Sequence, residues 1–121
     1  MFRRRFLVGG VCVVGVSALA APSAPEQSRI ERLIRAIEAR KDMTFIRNGA
    51  EYDGRDAAKF LRGKLEAMGH EVSTAREFIE RIASKSSMSG EPYHVRFADG
   101  RTLLASQFLN DELKRLETQP V

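Results

Sequence analysis

Hydroxyl groups, a turn glycine and a tyrosine crowd one short stretch, Ser84, Ser86, Ser87, Ser89, Gly90 and Tyr93, with Lys85 among them. A serine beside a lysine or histidine base is the material of nucleophilic catalysis. Serine-rich segments next to glycine also make plain turns, because their hydroxyls bond the local backbone. A third use is recognition: several hydroxyls and amide N–H groups on one loop can grip a carboxylate, a sugar or an extended peptide. Recognition by Ser86, Ser87, Ser89, Gly90 and Tyr93 is the leading expectation, and no catalytic residue is assigned. A second polar turn, Arg47-Asn48-Gly49, with Tyr52 behind it, is expected to join that surface; it reads as a hairpin turn or as an anion grip.

Other chemistry is thinner. His70 and His94 are the two histidines, and neither H-x-x-x-H nor H-x-H spacing occurs, so no metal site and no cofactor is expected. Glu31, Glu38, Glu51 and Asp53 are carboxylates of the type glycosidases use. A helix of alternating charge reads as a solvated face, however, and no acidic pair is set in a cleft.

The elements that must hold these residues follow from periodicity. Ile30, Leu33, Ile34 and Ile37 recur at i, i+3, i+4, i+7, one face of an amphipathic helix from Glu26, capped by Ser23 or Ser28 and ended near Asp42. Thr44 to Arg47 is β-prone, Asn48-Gly49 suits a type I′ turn, and Ala50-Glu51-Tyr52 returns. Asp53 caps a second helix with Asp56 in its first turn, a stripe of Ala57, Phe60, Leu61, Leu65 and Met68, and Gly69 as its C′ residue. His70 to Ser73 connects.

The stretch from Thr74 to Phe97 then supplies helix, loop and strand. Thr74-Ala75-Arg76-Glu77 is a capping box, with Val72 and Phe78 placed to pack around the helix start and Ile79 and Ile82 on the buried face. After the serine loop, Tyr93, Val95 and Phe97 alternate with His94 and Arg96, the period of a half-buried strand. Asp99-Gly100 turns the chain into Thr102-Leu103-Leu104, and Ser106 is expected to cap a last helix bearing Phe108, Leu109, Leu113 and Leu116.

The expected order is α-β-β-α-α-β-β-α, a small α+β domain of antiparallel hairpins packed with amphipathic helices. An internal echo runs through it: Phe60-Leu61-Leu65 and Phe108-Leu109-Leu113 each follow a hairpin. Their spacing from the turn glycine differs, 11 residues against 8.

The start of the chain reads as an export signal. Arg3, Arg4 and Arg5 form a positive region, Phe6 to Ala20 an apolar one, and Ala18-Leu19-Ala20 a small-residue cleavage site between Ala20 and Ala21. The apolar run is shorter than the roughly 20 residues a spanning helix needs. The expected division is a signal peptide over 1–20, a spacer over 21–25, one domain over 26–117 and a frayed tail over 118–121. Arg3-Arg4-Arg5-Phe6-Leu7 fits a twin-arginine pattern, and an arginine-rich start also serves general secretion. Cleavage removes Cys12, the only cysteine, which leaves no disulfide and no thiolate nucleophile. It also leaves 17 basic residues against 16 acidic, so the basic whole-chain balance is no argument for nucleic acid.

Phe45-Ile46-Arg47-Asn48-Gly49, Tyr52, Thr74-Ala75, Phe78-Ile79, Ala83-Ser84, Ser86-Ser87, Ser89-Gly90 and Tyr93, taken in order, resemble domain of unknown function 5329, a family of small exported bacterial proteins. The resemblance spans Ile30 to Leu116. Arg76 departs from it, since such proteins often carry an acidic residue after the Thr-Ala pair. The resemblance implies an exported single-domain protein and no particular reaction. The expected function is a non-catalytic periplasmic or secreted module that binds an envelope protein or cell-wall component, without nucleic acid and without stable membrane insertion after cleavage. The alternative is an envelope hydrolase acting on glycan or peptide.

Overall fold

The computed structural model describes residues 22–118. The expected signal peptide, its Ala20/Ala21 cleavage site, Cys12 and residues 119–121 lie outside the described residues. Within them the elements follow the expected order: α1 (Ala24–Ala39), β1 (Met43–Arg47), β2 (Ala50–Tyr52), α2 (Gly54–Met68), α3 (Ala75–Phe78), β3 (His94–Phe97), β4 (Thr102–Leu104) and α4 (Ala105–Thr118). The fold is α+β, with a four-stranded antiparallel sheet.

The strands run β2-β1-β3-β4, so the two hairpins join through their first strands. Phe45 faces both Tyr52 and Val95, and Val95 faces Leu103. Because side chains alternate along a strand, this row shares one face with Met43 and Phe97, and that face meets the helices. Asn48 and Gly49 both take positive φ, 50° and 82°, as a type I′ turn demands. The echo in the sequence corresponds to two units, β1-β2-α2 and β3-β4-α4, on either side of the β1–β3 pair. Leu61 and Leu109 occupy the core in each.

Four local expectations need correction. Helix α1 starts at Ala24 and absorbs the last two residues of the expected spacer. Ser23 Oγ accepts the Glu26 N–H at 3.4 Å, and Pro25 falls in the first turn, where its missing N–H has no helical partner to lose. Gly69 has φ −60° and ψ −25°, so the chain tightens into a 3-10 turn (Gly69–Glu71) instead of a left-handed cap. Helix α4 starts at Ala105 directly from β4, with the Ala105 N–H on the Tyr93 carbonyl at 2.9 Å, and Ser106 lies inside its first turn. The same helix continues to Thr118, the first residue of the expected tail.

Two contacts lock the helical layer. Gly54 opens α2 against α1 so closely that a Cβ there would lie 2.4 Å from the Ile37 carbonyl oxygen. At α3, Thr74 Oγ1 accepts the Glu77 N–H at 3.1 Å, and Glu77 reaches back to the Ser73 N–H at 2.7 Å. The Ala75 N–H is capped from α1 by Glu26, at 2.8 Å. Helix α3 widens without a break into a π-helical turn (Ile79–Ala83), which puts Ile79, Ile82 and Ala83 all in the core.

Candidate functional site

The serine loop closes on itself. Tyr93 N–H donates to the Ser84 carbonyl, Ser86 N–H to Glu91, and Gly90 N–H to Ser86, each at 2.9 Å. Gly90 takes φ +76°, a conformation that side chains disfavour. Ser86 is 4% exposed, and its Oγ accepts the N–H groups of Met88 at 3.3 Å and Ser89 at 3.2 Å. Asn48, at the β1–β2 turn, reaches across to donate to Ser86 Oγ at 3.3 Å, and it accepts from Ser89 Oγ at 2.7 Å. Ser84 Oγ is bound to the Glu80 carbonyl at 2.8 Å. The tip keeps Ser87 exposed, with the Met68 sulfur 3.8 Å from its hydroxyl, and leaves Met88 93% exposed.

Two residues expected on the exposed surface sit inside. Ser86 is buried because its hydroxyl holds the turn together. Tyr93 is 1% exposed. It shares the inward face of its strand with Val95 and Phe97, and its ring meets Phe45 at 5.3 Å and Phe60 edge-on at 5.8 Å.

Beneath the loop stands a pair of cations. Arg47 ends β1 on the inward face, its guanidinium 4.2 Å from the Phe60 ring centroid. Its Nη1 donates to the Tyr52 hydroxyl at 2.9 Å, while its Nε is shielded and has no hydrogen-bond partner among the described residues. Lys64, one turn beyond Phe60 on α2, donates to the Lys85 carbonyl at 2.9 Å and to the Tyr93 hydroxyl at 3.0 Å. Its ammonium lies 5.0 Å from the Tyr93 ring centroid and 6.0 Å from that of Phe60. Among the described residues no carboxylate comes within 4.0 Å of either cation.

The electrostatics follow from that arrangement. The Tyr52 hydroxyl holds Arg47 above its ordinary pKa. Burial, then the neighbouring Arg47 charge, pushes Lys64 below the usual lysine range. Burial raises the Tyr93 phenol. Arg47, Tyr52 and Tyr93 belong to the residues expected from sequence; Phe60 and Lys64 were missed. Phe60 reads as one more member of an apolar stripe, and a helical lysine carries no local mark. Their i, i+4 spacing is the one signal available.

The remaining candidates are spoken for. Glu31 takes Arg62 at 2.6 Å and Glu38 takes it at 3.4 Å; Glu51 takes Arg96 at 3.0 Å, and Asp53 caps α2 on the Asp56 N–H at 2.8 Å. His94 lies on β3 facing away from the helices, in the row of Glu51, Ile46 and Leu104. Among the described residues there is no group of three or more His, Cys, Asp or Glu side chains able to hold a metal ion. No described helix is long and apolar enough to cross a membrane.

Known proteins place the chain without assigning it a reaction. Over 88 residues it is 38% identical to the uncharacterized protein YfeK of Salmonella typhimurium strain LT2, an alignment covering 69% of this chain and 73% of that protein. No solved structure matches it. Residues 24–117 match a family of unknown function, DUF5329, and the chain belongs to that family.

Proposed function

We propose that the protein is an exported, non-catalytic recognition module for an envelope component, binding where the β1–β2 turn meets the serine loop. The observation that carries this reading is Asn48. Its amide ties together two turns 38 and 41 residues apart in the chain, through Ser86 and Ser89. Arg47, Tyr52, Ser87 and Met88 thereby share one end of the molecule, the last two on a loop already closed by backbone bonds. A preformed loop loses little conformational freedom on binding. An exposed methionine on a polar rim suits a partner contact that must adapt. Serine-dependent hydrolysis gains no support here, since among the described residues no serine hydroxyl is bonded to a histidine or a lysine.

The test is photo-crosslinking in living cells, with the reactive group at Ser87 and a control at Glu38. A discrete adduct from Ser87 alone is expected, and mass spectrometry of the adduct should show a chain beginning at Ala21. Adducts of equal yield at both positions, or none at Ser87, would sink the recognition surface. A retained leader would sink export with cleavage.

A further inference from the structure

We infer that Arg47 and Lys64, both packed against Phe60, form a binding site for a phosphate group carrying two negative charges. The inference rests on the recognition reading above and names the chemistry that its surface would take.

The molecule contains its own control. At the opposite end of the sheet Arg40 lies 5.2 Å from the Phe97 ring centroid and 5.6 Å from that of Phe108, and Arg101 lies 4.8 Å from that of Phe97. Those guanidiniums are closed by carboxylates, Arg40 by Asp42 at 2.9 and 3.0 Å and Arg101 by Asp99 at 2.9 Å. Cations stacked on rings in this fold can therefore be neutralised by acids nearby in the chain. Arg47 and Lys64 are stacked on rings too, and no carboxylate among the described residues neutralises them.

What they have instead are neutral acceptors. A phenol or a carbonyl oxygen orients a cation and leaves its charge standing. Arg47 has five N–H donors, of which one goes to Tyr52 and the Nε one is shielded from solvent; Lys64 has three and spends two. The Tyr52 hydroxyl accepts from Arg47, so its own O–H remains able to donate. Arg47, Tyr52, Phe60 and Lys64 are all half-buried: reachable from solvent, yet partly shielded from it. Charge-assisted hydrogen bonds gain strength under that shielding. A planar fork and a point charge on one ligand suit a phosphate, whose two negative charges balance both cations. A single carboxylate would balance one.

The test is a titration of the full chain with inorganic phosphate, followed by the NMR signals of the Arg47 and Lys64 side chains. Saturable shifts at both are expected. Lys64→Gln and Arg47→Gln should each weaken binding by on the order of tenfold or more. Lys64→Arg should retain it, and Arg40→Gln should leave it unchanged. Lys64→Gln carries the test alone should Arg47→Gln fail to fold. A second arm adds vesicles of phosphatidylcholine with or without phosphatidic acid. Recruitment only with phosphatidic acid, lost in Lys64→Gln, identifies a lipid headgroup as the source; phosphate saturation without recruitment identifies a soluble phosphate.

No saturation at millimolar phosphate together with no vesicle recruitment overturns the site. So does binding that survives Lys64→Gln in a folded protein. A Ser87 adduct without phosphate binding removes the phosphate site and keeps the recognition surface; phosphate binding without an adduct does the reverse.

Discussion

At one end of the sheet Arg40 and Arg101 lie against Phe97 and Phe108, and Asp42 and Asp99 close off their charges. At the other, Arg47 and Lys64 lie against Phe60 and Tyr93, with Tyr52, Tyr93 and the Lys85 carbonyl in place of carboxylates. Both arrangements cover aromatic rings with the long stems of cationic side chains. The difference lies in the charge left over. Each arginine at the first end is matched by an acid two residues away, so those pairs come out neutral. The second end uses hydroxyls and keeps two positive charges in a partly shielded place. A fold that needed only ring coverage could have used the first solution twice.

The largest expected break in this comparison is Tyr93→Ala. It removes a ring held between Phe45 and Phe60 and the hydroxyl that Lys64 uses. Deleting a buried aromatic side chain typically costs about 3–5 kcal/mol. Urea unfolding should show a loss in that range, with Tyr93→Phe losing less, about 1.5–3 kcal/mol, the net worth of a hydrogen bond to a charged group. Equal losses for the two variants would mean that the hydroxyl, and not the ring, anchors this end.

A smaller change in stability should come from Lys64→Glu, which gives the unpaired end the carboxylate that the paired end has. The variant loses two hydrogen bonds and gains an acid beside Arg47, for a net change within about 1–2 kcal/mol. Phosphate binding should vanish. A Lys64→Glu protein that still binds phosphate with wild-type affinity would mean that net charge does not distinguish the two ends.

How much of this was legible in the chain depends on how far apart the partners lie. The amphipathic stripes and the alternation from Tyr93 to Phe97 are local, and they placed every helix and strand in order. Asn48-Gly49 announced its turn because positive φ at both positions excludes most residue types. Tyr93 was legible as an inward residue by the same alternation; assigning it to the surface weighed its hydroxyl above its period. Ser86 could not be read as buried, since that depends on the loop closing and on Asn48 arriving from 38 residues away. Gly54 showed its role only when α1 crossed α2, and Glu26 only when it capped Ala75 from 49 residues away. The cation pair was illegible for the same reason: Arg47 on a strand and Lys64 on a helix come together only in the folded chain, around Phe60 and Tyr93.

The finest test sets the two ends apart by pH. The Arg40 guanidinium holds Asp42 below the usual carboxylate range, and the Arg101 N–H and then its guanidinium do the same for Asp99. A carboxylate whose folded pKa is depressed adds stability above its unfolded pKa, and that stability is lost as pH falls through the folded value. Wild type should therefore exceed Asp42→Asn in melting temperature at neutral pH, and the gap should close on acidification. Lys64 behaves in the opposite sense. Burial disfavours its charged form, a cost present at neutral pH and relieved as pH rises from its lowered pKa to the usual lysine value. Relative to Lys64→Met, the protein that keeps Lys64 should gain stability over that alkaline window. Both proteins carry Tyr93→Phe in this comparison, because the Tyr93 phenol is bonded to Lys64 and would titrate together with it. Bound phosphate favours the charged lysine, so adding it should move that window upward and leave the Asp42 window where it was. An Asp42 gap that persists in acid, or a Lys64 window that ignores phosphate, would show that the two ends do not differ in the way their ion pairs suggest.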